Sequence, residues 1–407
     1  MGKFIKKLSL ALLVFSFIGL LASALNAQQP EDLPQPPDLP RKIVVFQENF
    51  VNEASKAALL KNFGAVIIKH LGLINAMAVY LPPQAKADLL ARPEILRIDD
   101  DLVINAIAKP QPPPPPPQTI PWGIDRLDGS IDGNMAWYPA ATGEYDSTGT
   151  YVKVAIVDTG IDLAHPDLQA NIKGQVNTIN PLKSGNDDNG HGTHVAGIAA
   201  AVDNTIGVIG VGPKIALYAV KVLNKTGSGW LSDVIEGLQW CINNGMQVVN
   251  MSLGSSSDNQ SFHDAITAAY NAGIVQVAAA GNDGGPVLFP AAYSEAIAVA
   301  ASDINNQIPY WSNQGQEIDL TAPGVNIYST YKGSAYKTLS GTSMATPHVA
   351  GTAALVLTTP IGVYDLDADG IWDPAEVQNK LEAFAEDLYY PSDRQGAGLV
   401  RADLATQ

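Results

Sequence analysis

A single cysteine, Cys241, stands in 407 residues, so the chain holds no internal disulfide. In "LSDVIEGLQWCINNG", Val234, Leu238 and Cys241 share one helical face, which makes the thiol a packed core group. Long apolar runs are equally scarce. The one present, Leu8 to Leu21, follows Lys3, Lys6 and Lys7 and ends in the small residues of "ASALNA". That is the pattern of a secretory signal peptide over residues 1–27, cut after Ala24 or Ala27. No later run is long enough to span a bilayer, and the lack of cysteine near the cut excludes a lipid-anchored product. An exported chain without disulfides needs another source of stability, for which bound metal is a candidate. Cations are also in deficit. Residues 118–407 carry 12 Lys+Arg against 30 Asp+Glu, whereas residues 1–117 carry 12 against 10. An acidic body argues against nucleic acid as a partner and for solubility or divalent cations.

The organisation follows from composition. Residues 28–40 are Pro-rich and loose. "RKIVVFQ", "NEASKAALLKNFG", "AVIIKHLGLINAMAVYLP", "PQAKADLLARPEI" and "LRIDDDLVINAI" then alternate strand and helix, which predicts a small α+β unit of βαββαβ order over residues 41–108. "KPQPPPPPPQ" can only be a stiff polyproline rod, a linker over 109–117 that spans roughly 25 Å. Beyond it the apolar segments "YVKVAIVD", "IALYAVKVL", "QVVNMSL", "GIVQVAAAG" and "AIAVAAS" alternate with helical stretches at 191–202, 231–243 and 260–272. That alternation predicts an α/β fold over residues 118–407, a three-layer, doubly wound, mostly parallel sheet. Sites in such sheets form at the carboxyl ends of strands.

Asp158 sits at one such end, in "VAIVDTGID". An Asp-Thr-Gly corner is half of an aspartic protease site, one third of a serine protease site, or a plain strand end. No second Asp-Thr-Gly or Asp-Ser-Gly occurs, so the first reading would require a symmetric dimer. Three other stretches point to the second. "NGHGTHVAG" puts His191 at a helix start, "SGTSMATPHVAG" does the same for Ser343, and "VAAAGNDG" puts Asn282 just past a buried strand. Carboxylate, imidazole, hydroxyl and amide donor are the parts of a nucleophilic acyl-transfer site. The neighbouring His194, His165 and His348 read as structural groups.

The order Asp, His, Ser and these motifs resemble the subtilisin-like serine proteases, the subtilases, over nearly all of residues 118–407. The resemblance implies a secreted serine endopeptidase in which Ser343 attacks, His191 is the base, Asp158 orients it, and Asn282 holds the oxyanion with Thr342 adding a hydroxyl nearby. A neutral base implies activity that declines in acid. Residues 41–108 resemble that family's inhibitory propeptide, with the cut expected after Ile107 or Ala108. "TGSGW" and "SLGSS" resemble its substrate-gripping segments, so Gly227, Ser228, Gly229, Ser252, Leu253 and Gly254 would add an extended peptide as a strand. Ala279, Ala280 and Gly281 would line the pocket for the residue before the scissile bond. Leu288 falls where a glycine often forms its floor, which implies small or medium apolar residues there. The partners implied are extended or unfolded polypeptides and the chain's own propeptide. A freely diffusing monomer, with no membrane anchor after signal cleavage, is expected.

Two Ca²⁺ sites are expected. In "DLDADGIWDPAE", Asp365, Asp367, Asp369, Gly370, Ile371 and Glu376 fill positions 1, 3, 5, 6, 7 and 12 of a calcium loop of the EF-hand kind, residues 365–376. Hard carboxylates around a glycine turn suit Ca²⁺ better than a transition metal. By resemblance, side chains of Gln118, Asp167 and Asn204 with carbonyls of Val202, Ile206 and Val208 form the second. A weaker cation position is expected near Glu317 and Asp319.

Overall fold

The computed structural model describes residues 39–50, 52–106, 109–110, 119–138, 140–144 and 150–407. The signal peptide, most of the Pro-rich segment, Ile107, Ala108, Gln118 and the proline run lie outside the described residues. Residues 41–407 form one compact unit, distinct from residues 1–40.

The apolar run after Arg41 becomes β1 (Arg41–Phe46), followed by α1 (Glu53–Asn62), β2 (Val66–Leu71), β3 (Ala76–Tyr80), α2 (Ala85–Leu90) and β4 (Ile95–Asp100). Asn52 caps α1 by accepting from Ser55 N at 2.9 Å. These strands pair antiparallel in the order β2-β3-β1-β4. Alternate residues of β1 serve two cores: Val44 and Phe46 pack under α1 and α2, whereas Ile43 and Val45 pack on the larger body. Two short strands follow, β5 (Val103–Ala106) and β6 (Lys109–Pro110).

The larger body begins with β7 (Lys153–Asp158) and β8 (Ile172–Asn177), then α3 (His191–Ala200) and β9 (Ala216–Lys221). Next come β10 (Ser228–Trp230), α4 (Leu231–Asn243), β11 (Val248–Met251), β12 (Leu253–Gly254) and α5 (Gln260–Asn271). After β13 (Val275–Ala279), β14 (Ile297–Ser302) and β15 (Leu320–Pro323), the hairpin β16 (Ile327–Tyr331) and β17 (Ala335–Ser340) leads into α6 (Thr342–Val356) and α7 (Pro374–Ala383). Seven strands make one parallel sheet in the order β15-β14-β13-β11-β7-β9-β8. β7 shows why the runs are apolar throughout. Val154 and Ile156 face α3 and α6, while Ala155 and Val157 face α4 and α5. Full burial of a side chain such as Phe262 on α5 contributes about 1.5–3 kcal/mol. The doubly wound α/β class is thus the observed one. Among the described residues, no helix is long and apolar enough to cross a membrane.

Candidate active site

Asp158 ends β7 in mid-sheet, fully buried, and its Oδ1 accepts from the next backbone N–H, Thr159, at 2.6 Å. His191 opens α3, and its Nδ1 lies 2.8 and 2.9 Å from the two Asp158 carboxylate oxygens. This approach needs Gly192, because a Cβ there would lie 2.2 Å from Gly160 O. Ser343 is the second residue of α6, which packs along α3. Its Oγ donates to Ser252 O at 3.2 Å, and Ser252 Oγ donates to Ser343 O at 2.9 Å. Behind them Asn250 Nδ2 donates to Ser252 Oγ at 2.9 Å, so a buried chain props the hydroxyl from below.

Asn282 follows β13 and lies beside the start of α6. Its Oδ1 accepts from Thr342 N at 2.8 Å and from Thr342 Oγ1 at 3.1 Å. Its Nδ2 is shielded from solvent and has no partner among the described residues. An unpaired buried donor costs free energy that only an incoming acceptor recovers. The Thr342 hydroxyl lies beside Asn282 as expected: it accepts from Gly281 N at 3.1 Å and donates to Asn282 Oδ1, which helps hold that side chain in place.

One residue with a positioning role escaped sequence reading. Asp187, four residues before His191, accepts five hydrogen bonds: from Thr159 Oγ1, Asn189 N, Gly190 N, Thr193 N and Thr193 Oγ1. It caps α3, whose N-cap is a glycine without a side chain to do so, and ties that helix to the Asp158 corner. An Asp three residues before a helix-capping glycine is the local signal. His194 and His348 are fully buried, and burial pushes both down to about 3. They are neutral structural groups: His194 Nε2 bonds Ile327 O and Lys337 O, and His348 Nδ1 donates to Met344 O.

The expected cleft residues fall along two rims. Ser228 and Gly229 of β10 and Leu253 and Gly254 of β12 pair antiparallel with β5, which lies between them as a middle strand. Beyond Ile107 and Ala108, β6 pairs with Leu339 and Ser340 of β17, three residues ahead of Ser343. Gly227 turns into β10 with φ +78°. Ser252 is fully buried and props Ser343 as described. Ala279 is buried at the end of β13, Leu288 N donates to Ala280 O at 2.9 Å, and Leu288 crowds the face of Gly281.

The metal candidates divide. Asp365, Asp367 and Glu376 bring ligand oxygens within 4.8 Å of one another, Glu376 being fully buried. Asp369 instead turns Oδ1 to Ile371 N at 2.7 Å, and Asp373 caps α7 by accepting from Glu376 N at 3.0 Å. At the other site Asp167, also buried, accepts from Asn204 Nδ2 at 2.9 Å, Val208 N at 3.0 Å and Tyr336 Oη at 2.7 Å. Val202 N donates to Asp167 O, and Ile206 N to Asn204 Oδ1, closing the loop around it. Gly207 leaves room there, since a Cβ would lie 2.1 Å from Asp167 Oδ2. Glu317 is exposed, while Asp319 accepts from Ala298 N and Gln378 and burial pushes it up to about 7. A further acidic group, Asp125, Asp128 and Asp132, went unnoticed in the sequence.

A buried carboxylate on an imidazole at the carboxyl edge of a doubly wound sheet, with a serine at a helix start and an orphan amide, defines a serine hydrolase. Residues 149–398 match the Subtilase family, and the chain belongs to it: it is a serine endopeptidase of the subtilisin type. It is 43% identical over 335 residues to an alkaline protease of Alkalihalobacillus alcalophilus, covering 82% of this chain and 80% of that one. It is 46% identical over 291 residues to Subtilisin Savinase of Lederbergia lenta, covering 71% of this chain and all of that one. Subtilisin E of Bacillus subtilis (strain 168) is 37% identical over 380 residues, 90% of each chain.

Proposed function

We propose that Ser343, His191, Asp158 and Asn282 carry peptide-bond hydrolysis through an acyl-enzyme. The observation that supports this most is the pairing of His191 Nδ1 with buried Asp158 at 2.8 Å. It fixes the tautomer that leaves Nε2 as the proton acceptor. Ser343 Oγ attacks the carbonyl carbon as Nε2 takes its proton. Asp158 stabilises the resulting imidazolium, and the proton then passes to the leaving amine. Water repeats the sequence to free the acid. The Asn282 amide and the Ser343 N–H, in the first turn of α6, would hold the oxyanion. A serine-directed phosphonate applied to the active enzyme is expected to leave one adduct, on Ser343. Full inhibition with the adduct elsewhere would overturn the assignment.

We also infer a zymogen that is exported through residues 1–27. Residues 41–106 present β5 to the cleft as an added strand, which supports an inhibitory role for this segment and a cut after Ile107 or Ala108, between β5 and β6. The substrate segment would bind along the same rims, with Leu288 beside Gly281 favouring small or medium apolar residues before the cut.

Calcium is proposed at two loops. Asp365, Asp367 and Glu376 would hold it in the first, with Asp369 and the Ile371 carbonyl as further oxygens. Asp167, Asn204, Gln118 and the carbonyls of Val202, Ile206 and Val208 would hold it in the second. Both donor sets are all-oxygen, and the crowding of three carboxylates in the first loop favours a cation over solvent. A bound cation would tie these loops down without joining the chemistry. Chelation is expected to lower Tm by about 5–10 °C relative to millimolar Ca²⁺. Asp365→Asn should remove part of that difference, and an unchanged Tm after chelation would count against both sites.

A further inference from the structure

We propose that the enzyme freed of residues 41–106 has a subsite for a basic side chain at the substrate position now held by Val103, built from Asp233, Glu236 and Trp230. The inference rests on the reading of β5 as an occupant of the substrate cleft.

Four residues on α4 and its approach are engaged by cations, and both cations come from the N-terminal segment. Lys69 Nζ on β2 contacts Asp233 Oδ1 and lies 2.8 Å from Glu236 Oε2. The Arg41 guanidinium on β1 lies 4.2 Å over the Trp230 ring and donates to Ser232 Oγ at 2.9 Å. Among the charges that act on Asp233, Lys69, Arg41 and Asp101 all belong to that segment. Release of the segment therefore strips the carboxylate of its cations together. Oδ2 keeps the Trp230 N–H at 3.4 Å, while Oδ1 loses its partner. The carboxylate, 4% exposed in the intact chain with Lys69 on it, is then open to an incoming cation.

Asp233 also borders the peptide track. Val103 pairs with Trp230 at the end of β5, and it shares a cavity of about 290 Å³ with Asp233, Trp230 and Ile179. Val103 is 47% exposed and fills little of that space. A lysine or arginine there would lay its aliphatic stem along Ile179 and Trp230 and carry its charge to Asp233, with Glu236 half-buried beyond it. Glutamate at that position would meet two like charges.

The test uses the mature enzyme and octapeptides that copy residues 103–110, with Val103 kept or replaced by Lys or Glu. Copying the chain's own register makes the result independent of which of the two bonds is cut. At low salt, kcat/KM for the Lys peptide is expected to exceed that for the Glu peptide by roughly tenfold, mainly through KM. The ratio should shrink in 0.5 M salt. In Asp233→Asn it should fall to about twofold or less. Glu236→Gln, at the less buried of the two carboxylates, should reduce it partly and serves if Asp233→Asn does not fold. Equal cleavage of the Lys, Val and Glu peptides by the unaltered enzyme would overturn the subsite and leave the hydrolase standing. No cleavage of any of them would sink both.

Discussion

Ser343→Ala is expected to lower kcat by about 10⁶ while leaving the fold intact. That magnitude was established on subtilisin, a relative of this chain. The physical case is specific to this site. The two neighbouring hydroxyls are already engaged: Thr342 is committed to Asn282 and Gly281, and Ser252 to the Ser343 carbonyl. The alanine removes a buried donor whose acceptor is a backbone carbonyl, Ser252 O, so the stability cost is about 1 kcal/mol. A second consequence follows from β5 and β6 flanking the expected cut. Without the nucleophile the variant should remain a single chain after export, whereas the unaltered protein should lose residues up to 107 or 108. Gel mobility and intact mass read this directly. A Ser343→Ala protein that still matures when purified alone would sink the self-cleavage part of the mechanism.

Asn282→Ala is expected to lower kcat by about 10²–10³ with KM nearly unchanged. This range also comes from subtilisin. The split between kcat and KM follows from the geometry. Asn282 Oδ1 faces Thr342, so the side chain meets the substrate only through Nδ2, and a donor aimed at a developing oxyanion acts mainly in the transition state. Loss of Oδ1 also frees the Thr342 N–H, so the alanine variant carries a structural cost that Asn282→Asp reports separately. In the aspartate, the Thr342 bonds remain possible while the amide donor is gone. If Asn282→Asp were as active as the unaltered enzyme, the orphan amide would have no part in holding charge.

Much of this site was legible because its chemistry is concentrated in short motifs. "VAIVDTGID" announces a strand and its polar end, and His191 and Ser343 each stand among small residues at a helix start, where backbones must approach closely. Period-free apolar runs announced a sheet covered on both faces, and the observed strands follow them. Other features carried no such mark. β10 and β12 are too short and too ordinary in composition to read as strands, and each exists through pairing with β5, the tail of the stretch "LRIDDDLVINAI" that reads as one strand and divides into β4 and β5. In the acidic loop 365–376 the order of carboxylates is legible, but the hydrogen bonds they make are not. Asp369 bonds Ile371 N, and Asp373 caps α7 because a helix begins at Pro374 and its first N–H groups need an acceptor.

Sequence by itself determined which groups are available: one thiol too buried to matter, an acidic body, four polar side chains at element ends, and glycines that permit contact. Tertiary structure decided what each group does. Asp158 and Ser343 are 185 positions apart, and nothing local says that Thr342 holds Asn282, that Asp187 ties α3 to the Asp158 corner, or that Lys69 reaches Asp233. Hydrogen bonds of that kind depend on strand order and helix crossing, which are set by how the whole apolar surface is buried and not by the residues that flank a motif.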